Sequence, residues 1–285
     1  MRRSGSAYVG EIDAIARLLG RPGIWLLHGA YQFGCTALAD ESPAGPRLRR
    51  TLDRPFPGLG RLVEIAHQRG PAGDFFNVTW PGFVGVLTAS APGSFAASIN
   101  QAPMRRRTRR TSLLWIDYTL NAFGAIARGG RPSPEHLLRQ AFEQCATFDE
   151  ARRLLETAPV ARPVLFMLVG CAAGERLLIV REGDHGRSFA DRTVAANAWR
   201  KTSDDWRPRA CGDGAPVANN RRRVAALAAW SGRDADRFGW ATAPVLNACT
   251  RLTVEMCPAQ GTLKVAGWES DGSGNAIPVT APTEI

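Results

Sequence analysis

Apolar residues recur at helical spacing between Gly10 and Leu19, where Ile12, Ile15, Ala16 and Leu19 share one face and Gly20-Arg21-Pro22 ends the pattern. The spacing predicts an amphipathic helix. Ile24 to Phe33 follows as a short helical or extended stretch. After Gly34, the run Cys35-Thr36-Ala37-Leu38-Ala39 has strand character, so that Cys35 opens a strand. Arg47 to Asp53 is suited to return as its hairpin partner. Leu62 to Ala66, Phe75 to Trp80, Gly85 to Thr88 and Phe95 to Asn100 continue as short strands between glycine and proline turns.

The period then changes. Leu113 to Arg128 and Pro134 to Cys145 read as helices, the second with Ser133 as N-cap and proline at its first position. Thr147-Phe148-Asp149-Glu150 is a capping box that opens a third helix through Glu156. Strands return at Val164 to Val169, Arg176 to Arg181 and Thr193 to Asn197. A helix from Arg221 to Trp230 and a hairpin of Leu252 to Met256 with Thr262 to Trp268 complete the pattern. This order fits an α+β fold of four layers, αββα, in which two stacked antiparallel sheets are covered by helices on both outer faces. Neither an internal repeat nor a linker interrupts it, and the residues after Ser270 (271–285) are expected to form a flexible tail.

Composition narrows the choice. No apolar run reaches the roughly 20 residues of a membrane-spanning helix, and 45% hydrophobic with 22% charged residues is the balance of a folded globular chain rather than a disordered one. The basic start Met1-Arg2-Arg3 is followed by Glu11 and Asp13 before any apolar export segment forms, so a cytoplasmic location is expected. Six cysteines without a C-x-x-C pair and four dispersed histidines give no metal-ligand spacing. No metal or other cofactor is expected, and the cysteines other than Cys35 read as small buried hydrophobes. The net charge of +10 comes almost wholly from scattered arginines, Lys201 and Lys264 being the only lysines. A nucleic-acid partner is therefore not expected. The dense run Arg105 to Arg110 reads as a solvated loop, with peripheral contact to anionic lipid headgroups as its functional alternative.

Tyr8-Val9-Gly10-Glu11-Ile12, Tyr31-Gln32-Phe33-Gly34-Cys35-Thr36 and Arg50-Thr51-Leu52-Asp53, taken in this order, resemble the acid ceramidase and N-acylethanolamine acid amidase group of N-terminal-nucleophile hydrolases, related more distantly to choloylglycine hydrolases and penicillin acylases. Tyr8-Val9-Gly10-Glu11-Ile12 leading into Tyr31-Gln32-Phe33-Gly34-Cys35-Thr36 is similar to the family's approach to its nucleophile. Arg50-Thr51-Leu52-Asp53 resembles its arginine and aspartate three apart. Pro92 to Asn100, Thr147 to Ala151, Ala196-Asn197-Ala198-Trp199 and Pro244-Val245-Leu246-Asn247 follow as landmarks in the same order, so that the likeness spans nearly the whole chain. Read without it, a cysteine at the start of a strand is more often structural than nucleophilic, Arg50 and Asp53 form an ordinary ion pair, and Asn100 and Asn197 are strand-end turn residues.

The resemblance implies the four-layer N-terminal-nucleophile fold, self-cleavage before Cys35, a fragment of residues 1–34 and a catalytic domain of residues 35–270. It implies Cys35 as nucleophile, its freed α-amine as general base, Arg50 and Asp53 as tuners, and Asn197 as oxyanion donor with Asn100 as a second. Arg221, the first of Arg221-Arg222-Arg223, is chosen as a further support. The reaction implied is hydrolysis of a linear, non-peptide amide bearing a hydrophobic acyl group, with Trp80, Phe83, Trp115, Tyr118 and Phe123 as candidate lining of an acyl pocket. Two alternatives stand beside it: acyl transfer to an amine, as in isopenicillin N acyltransferases, and a noncatalytic basic binding protein using the arginine run.

Overall fold

The structure is a computed structural model that describes residues 6–21, 23–29, 34–127, 130–191, 193–201, 203–210, 215–230 and 238–285. In chain order its elements are α1 (Val9–Leu18), α2 (Ile24–Gly29), β1 (Gly34–Ser42), β2 (Gly45–Asp53), β3 (Glu64–Gly70), β4 (Gly73–Thr79), β5 (Thr88–Ala91), β6 (Phe95–Gln101) and β7 (Met104–Arg105). There follow α3 (Leu114–Ala127), α4 (Pro134–Gln144), α5 (Phe148–Thr157), β8 (Val164–Val169), β9 (Arg176–Arg181), β10 (Gly186–Phe189), β11 (Val194–Ala195), β12 (Trp206–Arg207), α6 (Pro216–Ala228), β13 (Thr250–Cys257), β14 (Thr262–Ser270), β15 (Ala276–Pro278) and β16 (Thr283–Glu284).

Two seven-stranded sheets carry the fold. The first runs β11-β1-β2-β13-β14-β15 with β16 also on β14, and the second runs β10-β9-β8-β6-β5-β4-β3. All their pairings are antiparallel. On β1 and β2 the period of two decides what faces what. Cys35, Ala37, Ala39, Leu48 and Leu52 point into the layer between the sheets, where they join Val254 and Met256. Leu38 points the other way and packs with Leu227 of α6 and Trp240. Helices α4 and α5 cover the outer face of the second sheet, with Phe142 stacked on Phe95 at 4.6 Å and Phe75 at 5.3 Å between ring centroids. The four layers are therefore α6, first sheet, second sheet, and α4 with α5.

Local signals act as the sequence indicates at two helix starts. Ser133 Oγ accepts from the His136 N–H with Pro134 at the first position, and Thr147 and Glu150 form the reciprocal capping box. Elsewhere tertiary bonds redirect the chain. Gly85 to Val86 is not a strand, because the Val86 N–H is taken by the carbonyl of Glu135 at the start of α4. The strand expected at Thr193 to Asn197 is laddered only at Val194–Ala195, since the Asn197 N–H leaves the sheet for Asn220. The residues after Ser270, expected as a flexible tail, instead add β15 and β16 to β14, where they pair with Trp268 to Ser270 and with Lys264 and Val265. Strand β14 presents a long unpaired edge to that segment, and pairing satisfies its backbone. Among the described residues, no helix is long and apolar enough to cross a membrane.

Candidate active site

Cys35 is the second residue of β1 and is wholly buried. Its thiol lies in the layer between the sheets. Its backbone is held from the α6 side. Arg50, opposite Ala37 in the β1–β2 ladder, projects into the same apolar layer. One of its terminal nitrogens donates to Cys35 Sγ at 3.1 Å and to the Ile99 carbonyl at 2.7 Å. The other donates to the Leu87 carbonyl at 2.5 Å and to Thr88 Oγ1. The guanidinium is thus fixed at the start of β5 and on β6 before it meets the sulfur. Burial pushes the Cys35 thiol above its ordinary range, opposed by the charge and hydrogen bond of Arg50.

The backbone of Cys35 is gripped at both ends. Its N–H donates to Asn197 Oδ1 at 2.8 Å, and its carbonyl accepts from Arg223 Nη1 at 2.8 Å. Arg223 is a hub. It also donates to Thr36 Oγ1 at 3.0 Å, Asn197 Oδ1 at 3.1 Å, Asn220 Oδ1 at 3.1 Å and Asn219 Oδ1 at 2.9 Å, and it pairs with Asp53 at 3.4 Å, both groups fully buried. Asp53 lies opposite Gly34 in the ladder and accepts from Thr250 Oγ1 at 2.9 Å. Burial raises its carboxyl pKa, opposed chiefly by Arg223.

Asn197 spends one N–H of its amide on the Gln101 carbonyl at 2.9 Å, leaving the second for another acceptor. Asn100, on β6 directly before Gln101, donates instead to the carbonyls of Ala195 and Ala196 at 3.0 and 3.3 Å and so pins the turn that carries Asn197. Cys35, Arg50, Asp53, Asn197 and Asn100 are therefore brought together. Arg221 is not. It is exposed on α6, and Arg223 occupies the place for which Arg221 is the sequence-based choice. The reason is helical geometry: Asn219, Asn220, Arg223 and Leu227 form the buried face of α6, at spacings of three and four, and Arg221 lies off it. That polar stripe ending in leucine was the available signal. Thr88 and Thr250 carry no comparable mark in the sequence.

Of the aromatic candidates, Trp80 is buried under the Arg54 guanidinium and Phe83 stacks on His28 at 5.2 Å, whereas Trp115, Tyr118 and Phe123 are exposed on α3. They do not line one pocket. His28, the histidine nearest Cys35 in sequence, has both ring nitrogens engaged, Nε2 accepting from the Val84 N–H at 2.9 Å and Nδ1 facing the Ile24 carbonyl at 2.8 Å. Tyr31, Gln32 and Phe33 lie outside the described residues.

No family model matches the chain. In sequence it is similar to the acid ceramidase of Heterocephalus glaber, 22% identical over 204 residues that make up 68% of this chain and 48% of that protein. It is also similar to that of Pan troglodytes, 28% identical over 120 residues, 42% of this chain and 28% of that one. The chain thus spans about half the length, or less, of the curated relatives it matches. In structure it is similar to the Caenorhabditis elegans N-acylethanolamine-hydrolyzing acid amidase ortholog, with a TM-score of 0.58 and 21% identity over 79% of this chain and 93% of that one. The two stacked sheets and their covering helices are accordingly the N-terminal-nucleophile hydrolase fold, in a chain whose sequence is akin to the acid ceramidases.

Proposed function

We propose that this chain cleaves itself before Cys35 and then hydrolyses the amide bond of an N-acyl amide with a hydrophobic acyl group, through a thioester on Cys35. One observation carries the reading: three separate groups converge on a single residue, Arg50 on its sulfur, Asn197 on its nitrogen and Arg223 on its carbonyl. A merely structural cysteine has no use for a buried guanidinium at its sulfur. The likeness to acid ceramidases and to the amidase ortholog supports an N-acyl amide as substrate.

In self-cleavage the Cys35 thiol adds to the Gly34 carbonyl. The carbon–sulfur bond forms, the carbon–nitrogen bond breaks, and the Cys35 nitrogen leaves as an amine with the thiol's proton. Water then hydrolyses the thioester and frees the Gly34 carboxylate. Asn197 Oδ1, which accepts the Cys35 N–H in the uncut chain, is positioned to accept one from the new α-amine. That amine titrates near 8 (roughly), which suits it to take the thiol proton in each turnover. The thiolate attacks the substrate carbonyl, the amine product leaves with the proton, and water releases the acid from the thioester. The remaining amide hydrogen of Asn197 is the donor for the tetrahedral oxygen.

The test is release of free acid from a panel of N-acyl amides of increasing acyl length. Wild type should release acid and Cys35→Ala none. Equal release by the two proteins sinks the reading.

A further inference from the structure

Asn220 faces two ways. Its Oδ1 accepts from the Asn197 N–H at 2.6 Å and from Arg223, while the same side chain lines a cavity of about 640 Å³ that does not count Cys35 among its described lining residues. Its amide nitrogen donates to the carbonyls of Pro216 at 2.7 Å and Arg209, so the partition between catalytic cluster and cavity is fully bonded and fixed. A second cavity of about 360 Å³ adjoins the first and shares Trp199, Lys201, Val217 and Arg221 with it.

The larger cavity is polarised. Its depth is apolar, formed by Leu165 and Leu178 of the second sheet with Val194, Val224 and the face of Trp199. Leu165 and Leu178 are core residues, 1% and 2% exposed, so the cavity reaches the layer between the sheets. Its mouth carries Arg200, Lys201 and Arg221, and no carboxylate is among its described lining residues. Arg200 is neutralised by both oxygens of Asp191 at 3.2 Å. Among the described residues, Lys201 and Arg221 form no ion pair, and Asp204 is the one acid lining the adjoining cavity. Two cations without an ion pair among the described residues, over an apolar shaft of small-molecule size, match a ligand with one charged end and one oily end.

We infer that this cavity binds a single-chain amphiphilic carboxylate, with its head at Lys201 and Arg221 and its tail between Leu165, Leu178 and Val224. The site stands on cavity shape and charge, and does not require that Cys35 be a nucleophile. If the chain is an amidase, such an anion is the class of its own acid product, and Asn220 is the wall through which its binding meets Asn197.

The experiment is titration calorimetry on the full-length Cys35→Ala protein, which removes turnover, with decanoate, decanol and inorganic phosphate as separate probes. Decanoate should saturate one site, and decanol and phosphate should each bind at least roughly tenfold more weakly, since each lacks one half of the match. Lys201→Ala with Arg221→Ala, both at exposed positions, should weaken decanoate by roughly tenfold or more with the melting temperature unchanged. Val224→Trp, which fills the shaft and keeps both cations, should abolish its binding. Decanoate binding that survives removal of both cations overturns the site. Equal binding of decanol or of phosphate does so too. Should Val224→Trp not fold, the cation pair decides alone.

Discussion

The guanidinium of Arg50 enters the layer between the sheets to reach Cys35 Sγ at 3.1 Å, while the carboxylate of Asp53, three residues on, lies on the opposite face of the same strand against Arg223 at 3.4 Å. An odd spacing on a strand sends two side chains to opposite faces. The pair therefore does not act as one ion pair. Arg50 addresses the sulfur, and Asp53 with Arg223 fixes the backbone from which the sulfur hangs.

For the thiol this means that Arg50 is the principal group opposing the effect of burial. Arg50→Met should slow appearance of the cleaved fragments at least tenfold, because each unit by which a thiol pKa rises costs about a factor of ten in thiolate below that pKa. Arg50→Lys keeps the charge but loses the fork that spans Ile99, Leu87 and Thr88, and should fall between the two. A cleavage time course followed by mass spectrometry checks the order. Equal rates in all three proteins would remove Arg50 from the chemistry.

Asn197 holds an acceptor role and a donor role on different atoms. Asn197→Asp keeps an oxygen for the Cys35 N–H and for Arg223 but loses the amide donor. If that donor serves the tetrahedral oxygen in the proposed reaction, steady-state hydrolysis should fall by on the order of a hundredfold, with melting temperature little changed. Wild-type turnover in the aspartate variant would assign Asn197 to positioning alone.

The stacked sheets, both capped helices and the cysteine at the mouth of a strand were legible in the sequence because each rests on a local period or cap. What was not legible rests on distant partners. Val86 leaves its strand for Glu135, and residues 276–278 and 283–284 join a sheet whose edge the local pattern does not announce. The candidate site divides the same way. Cys35, Arg50 and Asp53 are close in sequence and could be read as a group, whereas the choice among Arg221, Arg222 and Arg223 depends on which face of α6 meets β1. The buried polar residues Asn219 and Asn220 mark that face, and counting three or four onward gives Arg223.

Arg223→Met removes the cation from a buried pair and strips the Cys35 carbonyl of its donor, and should lower stability by about 3 kcal/mol while blocking self-cleavage. Arg222→Ala, at an exposed position on the same helix, should leave both within error. Denaturant melts and fragment analysis of the two variants decide it. Self-cleavage at the wild-type rate in Arg223→Met would show that the grip on the carbonyl is dispensable.

Acid should loosen the attachment of the N-terminal helix. His136 of α4 is buried, faces Ser6 Oγ at 2.9 Å and stacks edge-on to Tyr8 at 5.1 Å. Burial lowers its pKa from 6.5 to about 4. The unfolded chain therefore binds the proton more readily than the folded one, so stability is full above pH 6.5 and declines as pH falls toward 4. One such group accounts for about 2 kcal/mol between pH 7 and pH 5. His28, lowered by burial as well, acts in the same direction. His136→Gln should shrink the difference in unfolding free energy between those two pH values by about that amount. An unchanged difference would place the acid sensitivity elsewhere.

The cut between Gly34 and Cys35 is the prediction on which the chemistry depends. A cysteine inside a chain has an amide nitrogen, which accepts no proton, and the nearest histidine in sequence, His28, has both ring nitrogens committed to backbone groups. The base must be made, and cleavage makes it. The fragments should then stay together, because residues before the cut are bonded to the body of the fold. Tyr8 donates to Glu143 at 2.6 Å, Arg139 pairs with Glu11 at 2.7 Å, and His28 receives the Val84 N–H at 2.9 Å. Active protein should elute as one particle in gel filtration under native conditions and resolve by denaturing mass spectrometry into residues 1–34 and 35–285. Cys35→Ala should remain a single inactive chain. Full amidase activity from an uncut wild-type chain would refute the α-amine as base, and the search would turn to a carboxylate within the buried cluster, with Asp53, whose pKa burial already raises, as the first to replace.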